Sequence, residues 1–187
     1  MKAGEIVKAL TERHKSPQWV TCAELRFGTG WAASYSAGDP YTEKRIDFWA
    51  MDTWPSHGYK RVAYEIKVSR GDFKRELTHP DKRTPSILVS NEFYFAAPRG
   101  LIKPDELPEG CGLVEVNEHG TARLSVKAAW RDTQEPTWGF IAALLRRVPI
   151  EPGVVIPSMQ PNGLTPDPKA QAILWWIDDE HIHPLEG

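Results

Sequence analysis

Three side chains in the middle of the chain, Asp47, Glu65 and Lys67, are of the types and at the spacing that could do chemistry together. Glu65 and Lys67 stand two residues apart in AYEIKVSR, a run otherwise typical of a buried strand, so both point to one face of that strand. Asp47 stands in IDFWA, an apolar run in which a buried charge needs a partner. If the two strands pair through the turn between them, the two carboxylates converge. Converging carboxylates either acquire a raised pKa or hold a cation.

A carboxylate pair beside a lysine has the composition of a metal-assisted hydrolytic site. A hard cation such as Mg²⁺ takes oxygen ligands, commonly one or two carboxylates together with water and substrate phosphate. A lysine beside it can orient or help deprotonate the attacking water, or stabilise charge that develops on a phosphate. The spacing therefore predicts hydrolysis of a phosphodiester. The alternative is an ordinary ion pair between Glu65 and Lys67 on the solvated face of an edge strand.

The elements that must position these residues follow from apolar periodicity and turn residues. The predicted elements are a helix over 3–15, strands over 19–27, 44–54 and 61–69, a helix over 71–83, strands over 92–98 and 112–116, a turn and closing strand over 117–126, and a helix over 135–148 with Thr137 as its N-cap. The first three strands are joined by loops, which favours an antiparallel meander. The helix after the third strand permits a parallel crossover to the fourth. The pattern predicts an α/β fold with a mixed central sheet flanked by helices.

Composition limits the class of protein. The chain has 187 residues, of which 41% are hydrophobic and 26% charged, and a net charge of -2, so any nucleic-acid surface must be a local patch. Two isolated cysteines form no disulfide framework, and no apolar run is long enough to cross a membrane, which together predict a cytoplasmic protein. The domain is expected over 1–148, followed by a Pro-rich linker at 149–168 and a C-terminal helix and tail at 169–187.

The stretch RIDFWAMD … VAYEIKVSRGDF resembles the PD-(D/E)XK nuclease superfamily, which has the restriction-endonuclease-like fold. Its signature is an Asp on one strand and a Glu/Asp-x-Lys on the next. Over a longer stretch the chain is similar to the MmcB-type DNA-repair proteins and their phage- and plasmid-borne relatives. The shared runs are CAEL, YEIKVSRGDFKREL, PDKR, FYFAAP and LPEGCGLVEVNEHGTARL, which lie within roughly residues 20–130.

The resemblance implies a role for each matched residue. Asp47 and Glu65 would be metal ligands, and the backbone carbonyl of Ile66 a third. Lys67 would be the catalytic lysine, and Glu24 the additional acidic residue that the superfamily often supplies from upstream. The cofactor would be Mg²⁺ or Mn²⁺ and the substrate DNA, in repair or in phage or mobile-element DNA processing. Because many enzymes of this superfamily cut duplexes as dimers, a homodimer is a further expectation. The first motif here is RID and lacks the proline of the superfamily's name.

The segment that follows the site is basic. Between Lys60 and Arg83 there are eight Lys/Arg against four acidic residues, a local balance of +4, which suits contact with a phosphate backbone. Residues predicted to contact DNA are Ser69, Arg70, Lys74, Arg75, Lys82 and Arg83. A solvated helix face explains the same charges, and Asp72 is expected to be an N-cap or a first-turn acid rather than a metal ligand.

Two further functions stay open beside the nuclease. The same fold could hold a nucleic acid with little or no turnover, although converging carboxylates would repel DNA unless a cation intervened. A structural α/β domain with a simple Glu65–Lys67 ion pair is the other alternative, and metal binding separates it from the first two.

Overall fold

Residues 1–27 and 45–147 are described by the computed structural model. The helices are α1 (Ala3–Arg13), α2 (Arg70–Leu77), α3 (Thr84–Leu88) and α4 (Trp138–Leu145), and the strands are β1 (Trp19–Arg26), β2 (Arg45–Asp52), β3 (Arg61–Ile66), β4 (Glu92–Pro98), β5 (Gly112–Val116) and β6 (Ala122–Val126). The chain divides into two units, Met1–Pro149 and Ile150–Gly187. The predicted linker and C-terminal helix lie outside the described residues.

The six strands form one sheet in the order β1-β2-β3-β4-β5-β6. The first three strands pair antiparallel, β3, β4 and β5 pair parallel, and β6 pairs antiparallel with β5. The predicted meander, the parallel crossover after the third strand and the mixed sheet with flanking helices are therefore confirmed.

Some element boundaries differ from the prediction. β3 ends at Ile66, because Ser69 caps α2 and accepts a hydrogen bond from the backbone N–H of Asp72. A 3-10 turn over Pro80–Lys82 and the short helix α3 follow α2, and α3 was not predicted. Helix α4 is shorter than expected, but Thr137 caps it by accepting from the N–H of Phe140.

Hydrophobic clusters cover both faces of the sheet. Trp49, Ala63 and Phe95 lie on one face, in a cluster that contains Phe73 of α2 and Phe140 of α4. The neighbouring residues along the same strands belong to a second cluster, which contains Ile6 and Leu10 of α1. The sheet is thus flanked by helices on both faces, and its central strands are buried on both sides. Among the described residues, no helix is both long and apolar enough to span a bilayer.

Gly112 is required where β5 passes Tyr94 of β4. A Cβ at this position would lie 2.3 Å and 2.4 Å from two ring carbons of Tyr94 and 2.7 Å from the backbone nitrogen of Ala128. We expect Gly112→Ala to lower the free energy of unfolding by about 1–3 kcal/mol, because the ring or the strand must move. Urea denaturation measures this change. The control is Gly71→Ala, which has open space around it on α2; equal stability of the two variants would contradict the close approach.

Candidate active site

The ends of β2 and β3 bring Asp47 and Glu65 together. Phe48 lies opposite Tyr64 in this antiparallel pair, and one step further along the two strands places Asp47 opposite Glu65. Oδ2 of Asp47 accepts a hydrogen bond of 2.9 Å from the backbone N–H of Ile66. The Asp47 carboxylate therefore lies against the backbone of Ile66, the last residue of β3, whose carbonyl is the predicted third ligand.

The pKa values of both carboxylates are raised above their ordinary range. Burial raises the pKa of Asp47, although the Ile66 N–H and the Lys67 ammonium oppose the shift. Burial and the nearby Asp47 carboxylate raise the pKa of Glu65 to about 7, against the opposing effect of Lys67. Two ionised carboxylates are thus unfavourable here without another positive charge. A cation bound between them would remove this cost.

Lys67 is the positive charge already present, and it is buried, with 4% of its surface exposed. Its Nζ donates to Oε1 of Glu65 at 2.8 Å and to Oε2 of Glu76 at 3.2 Å, and it lies 3.6 Å from Oδ2 of Asp72. Burial lowers the pKa of Lys67, but the Glu65 and Glu76 carboxylates outweigh it, and the net shift is upward. The side chain therefore stays an ammonium at neutral pH and is suited to stabilising negative charge rather than to removing a proton.

Glu76, which also pairs with Lys67, was not among the site residues predicted from the sequence. It is buried on α2, and its Oε1 lies 3.5 Å from Nη1 of Arg83. Arg83 also donates to the backbone oxygen of Glu76 at 3.0 Å, and its guanidinium lies 5.9 Å from the centre of the Phe95 ring. The signal in the sequence was its spacing, since Glu76 stands three residues after the core residue Phe73 and so shares its helix face.

Glu24 lies beside Asp47 on the neighbouring strand. The β1–β2 register, in which Ala23 faces Phe48, places Glu24 opposite Asp47, and its charge raises the pKa of Asp47. The Glu24 carboxylate itself is paired with Arg45 at 3.4 Å. Its φ of 53° lies in the left-handed region, which costs a non-glycine residue about 1–3 kcal/mol. The structure thus brings the predicted fourth acid next to the pair but turns it toward Arg45.

Two of the residues predicted to contact DNA, Arg70 and Arg83, form hydrogen bonds within the protein. Both terminal nitrogens of the Arg70 guanidinium donate to the Glu106 carboxylate, and Nη1 also donates to the Leu101 carbonyl at 3.0 Å. Arg83 is buried against Glu76, as described above. The hydrogen bonds of Arg70 and Arg83 are thus used within the fold, and a phosphate contact by either residue stays a prediction. Ser69 is exposed, but its hydroxyl caps α2.

Three other residues predicted to contact DNA carry charges that a ligand could reach. Lys74, Arg75 and Lys82 are exposed, and within 1–27 and 45–147 no carboxylate forms an ion pair with them. Asp72 is a first-turn acid of α2, as predicted. The exposed basic surface thus contains fewer residues than the count along the sequence suggests. It lies on α2 and the turn that follows.

The donor set restricts which metal the site could hold. Within the described ranges no group of three or more His, Cys, Asp or Glu side chains is arranged to hold an ion. Two carboxylates and one backbone carbonyl are too few for a closed tetrahedral zinc site. They fit Mg²⁺, which keeps several of its waters and is commonly bound through one or two carboxylates.

Comparisons with known proteins bear on the fold alone. No protein family model matches the chain, and no curated protein does. A solved structure of a protein of unknown function from Silicibacter pomeroyi is similar over 79% of this chain and 84% of that one, with 16% sequence identity and a TM-score of 0.51. At this identity the likeness supports the mixed α/β architecture.

Proposed function

We propose that this protein is a Mg²⁺-dependent nuclease that hydrolyses DNA phosphodiester bonds, with a restriction-endonuclease-like core of the PD-(D/E)XK type. The observation that carries the proposal is the convergence of Asp47 and Glu65 beside the buried ammonium of Lys67. Two carboxylates that repel each other lower the stability of the fold, and a cation-binding role accounts for their presence. A role in DNA repair or in phage or mobile-element DNA processing follows from the resemblance to the MmcB-type proteins.

Each residue of the site has a part in this proposal. Asp47 and Glu65 would hold the ion, with the Ile66 carbonyl beside them. When bound, Mg²⁺ would lower the pKa of a water molecule and neutralise charge on the scissile phosphate. Lys67 would stabilise the negative charge that grows on the phosphate oxygens or orient the attacking water. Glu76 would help to hold the Lys67 ammonium in place.

The remaining basic surface would bind the phosphate backbone. Neutralising Lys74, Arg75 and Lys82 to glutamine is expected to reduce the slope of log K against log salt by about one unit for each residue that contacts a phosphate. Fluorescence anisotropy with a labelled duplex at several salt concentrations measures this slope. The matched control is Arg70→Gln, which should change the slope little because Glu106 already neutralises Arg70. A reduction of the slope by Arg70→Gln as large as that caused by neutralising one of the three exposed residues would contradict the placement of this surface.

The proposed activity is tested on wild-type protein with duplex, nicked, branched and single-stranded DNA, in Mg²⁺, in Mn²⁺ and in EDTA. We expect cleavage with either metal and none in EDTA. Binding without cleavage, tightened by Mg²⁺, would overturn the nuclease and favour the alternative, a nucleic-acid-binding module that uses the same two carboxylates to hold a cation against the phosphates.

A further inference from the structure

A cavity of about 380 Å³ opens on the face of the sheet opposite Lys67. Its floor is formed by Val62 and Tyr64 of β3 and Tyr94 of β4, which belong to the hydrophobic cluster that contains α1. Alternation along β3 directs Glu65 and Lys67 to the other face, so this cavity is separate from the candidate active site. Its volume lies at the lower end of the range of small-molecule pockets, about 300–1,000 Å³.

Positive charge converges on the cavity from three parts of the chain. Arg13 at the end of α1, Lys60 before β3 and Lys127 after β6 all line it, against a single carboxylate, Glu92. Lys60 is paired with Glu92 at 2.6 Å. For Arg13 and Lys127, no carboxylate partner is found within the described part of the chain. The net positive charge of the lining therefore favours the binding of an anion.

Two buried polar groups at the cavity have unused hydrogen-bonding atoms. Glu92 is 3% exposed, and its Oε2 accepts from both Lys60 and the Tyr94 hydroxyl, while Oε1 has no partner among the described residues. His14 is 6% exposed; its Nε2 lies 2.7 Å from the Tyr64 hydroxyl, and its buried Nδ1 has no partner there. Leaving the buried His14 nitrogen unsatisfied costs about 1–3 kcal/mol, and the Glu92 carboxylate offers an acceptor to a ligand that carries N–H donors.

The remaining wall is aromatic and apolar. The Trp19 indole is half-buried, and its ring lies 4.3 Å from the His14 ring. Val62 and Leu124 complete the apolar lining. Burial, with the nearby charges of Arg13 and Lys60, lowers the pKa of His14 to about 4. The imidazole is therefore neutral at physiological pH, with one nitrogen a donor and the other an acceptor.

We propose that this cavity binds a mononucleotide, with the phosphate at Arg13 and Lys127 and the base against Trp19, where its N–H donors reach Glu92. The combination of cations, an aromatic apolar wall and a carboxylate acceptor in one lining matches the three parts of such a ligand. This site does not depend on the proposed nuclease, because it shares no residue with Asp47, Glu65 and Lys67.

Isothermal titration calorimetry with AMP, ribose 5-phosphate and inorganic phosphate tests the proposal. We expect AMP to bind at least about tenfold more tightly than either smaller anion, a difference of about 1.4 kcal/mol, because only AMP contacts Trp19 and Glu92. Arg13→Gln and Lys127→Gln should each weaken AMP about tenfold. Trp19→Leu should weaken AMP but not phosphate. The matched control is Lys8→Gln, which removes an exposed charge from α1 outside the cavity and should leave the affinity unchanged.

Three outcomes would overturn this site. They are no binding of AMP up to millimolar concentration, binding that survives both charge-removing variants, and inorganic phosphate as tight as AMP. Asp47→Asn separates this proposal from the nuclease, since the variant should keep AMP binding whether or not the protein cleaves DNA. Thermal unfolding of each variant establishes that a loss of binding is not a loss of fold.

Discussion

Lys67→Met is expected to lower the free energy of unfolding by about 3–5 kcal/mol, the usual effect of removing one partner from a buried ion cluster. The substitution removes the ammonium that Glu65 and Glu76 share, at 2.8 Å and 3.2 Å, and leaves both buried carboxylates without it. Denaturation in urea measures the effect. The dependence of the unfolding free energy on urea concentration should stay the same, because it reports the surface area exposed on unfolding.

A matched pair of variants isolates the cause of this loss. Lys74→Met removes an exposed lysine from α2 and should change stability by less than about 0.5 kcal/mol. Lys67→Arg retains the positive charge and should recover part of the loss. A Lys67→Met protein as stable as wild type would mean that the carboxylates do not depend on the ammonium, and the electrostatic description of the cluster would be wrong.

Stability should fall as pH rises through neutrality, and Mg²⁺ should restore it. The pKa of Glu65 is about 7 in the fold, against an ordinary value of 4.5, so the folded protein holds a proton that the unfolded chain has lost. This contribution to stability is complete below about pH 4.5 and disappears as pH rises through about 7. Because each pKa unit corresponds to about 1.4 kcal/mol and Glu65 is mostly buried, the loss is at most about 3.5 kcal/mol.

The measurement is chemical denaturation of wild type and Glu65→Gln at about pH 5 and about pH 8, with and without Mg²⁺. The difference between the two proteins isolates the contribution of Glu65 from those of other titrating groups. We expect Mg²⁺ to stabilise wild type at the higher pH, to have little effect at the lower pH, and to have little effect on Glu65→Gln. Equal stabilisation of both proteins would show that Mg²⁺ acts elsewhere. As a control, Glu118→Gln, an exposed acid in the turn between β5 and β6, should behave as wild type.

The neighbourhood of Asp47, Glu65 and Lys67 could be predicted because it depends on local rules. Alternation along a strand places residues two apart on one face, and a short connection between two strands makes them antiparallel neighbours. Those rules are enough to bring Asp47 near Glu65, whereas the register that sets the two residues opposite each other is given by the structure. The same rules gave the meander, and the helix after β3 correctly indicated the parallel crossover.

The partners of the charged side chains could not be predicted in the same way. The eight basic residues of the 60–83 segment look alike along the sequence, yet Arg70 is paired with Glu106 from a distant turn, and Arg83 is buried under Glu76 and Phe95. Pairing of this kind depends on contacts between residues far apart in sequence, which periodicity does not contain. The cavity beside His14 was missed for the same reason, since α1, β3, β4 and the end of β6 contribute to it.

The most direct test of the central claim is DNA cleavage in Mg²⁺ by wild type, Asp47→Asn and the control Asp105→Asn, which changes an exposed aspartate outside the site. We predict that Asp47→Asn loses at least about a hundredfold in rate, because several kcal/mol of charge stabilisation is lost with the metal ligand. It should also remain at least as stable as wild type without metal, because the repulsion with Glu65 is gone. Asp105→Asn should cleave as wild type does. Cleavage that persists in Asp47→Asn, or no cleavage by wild type on any DNA substrate, would contradict the assignment of these carboxylates to a nuclease site.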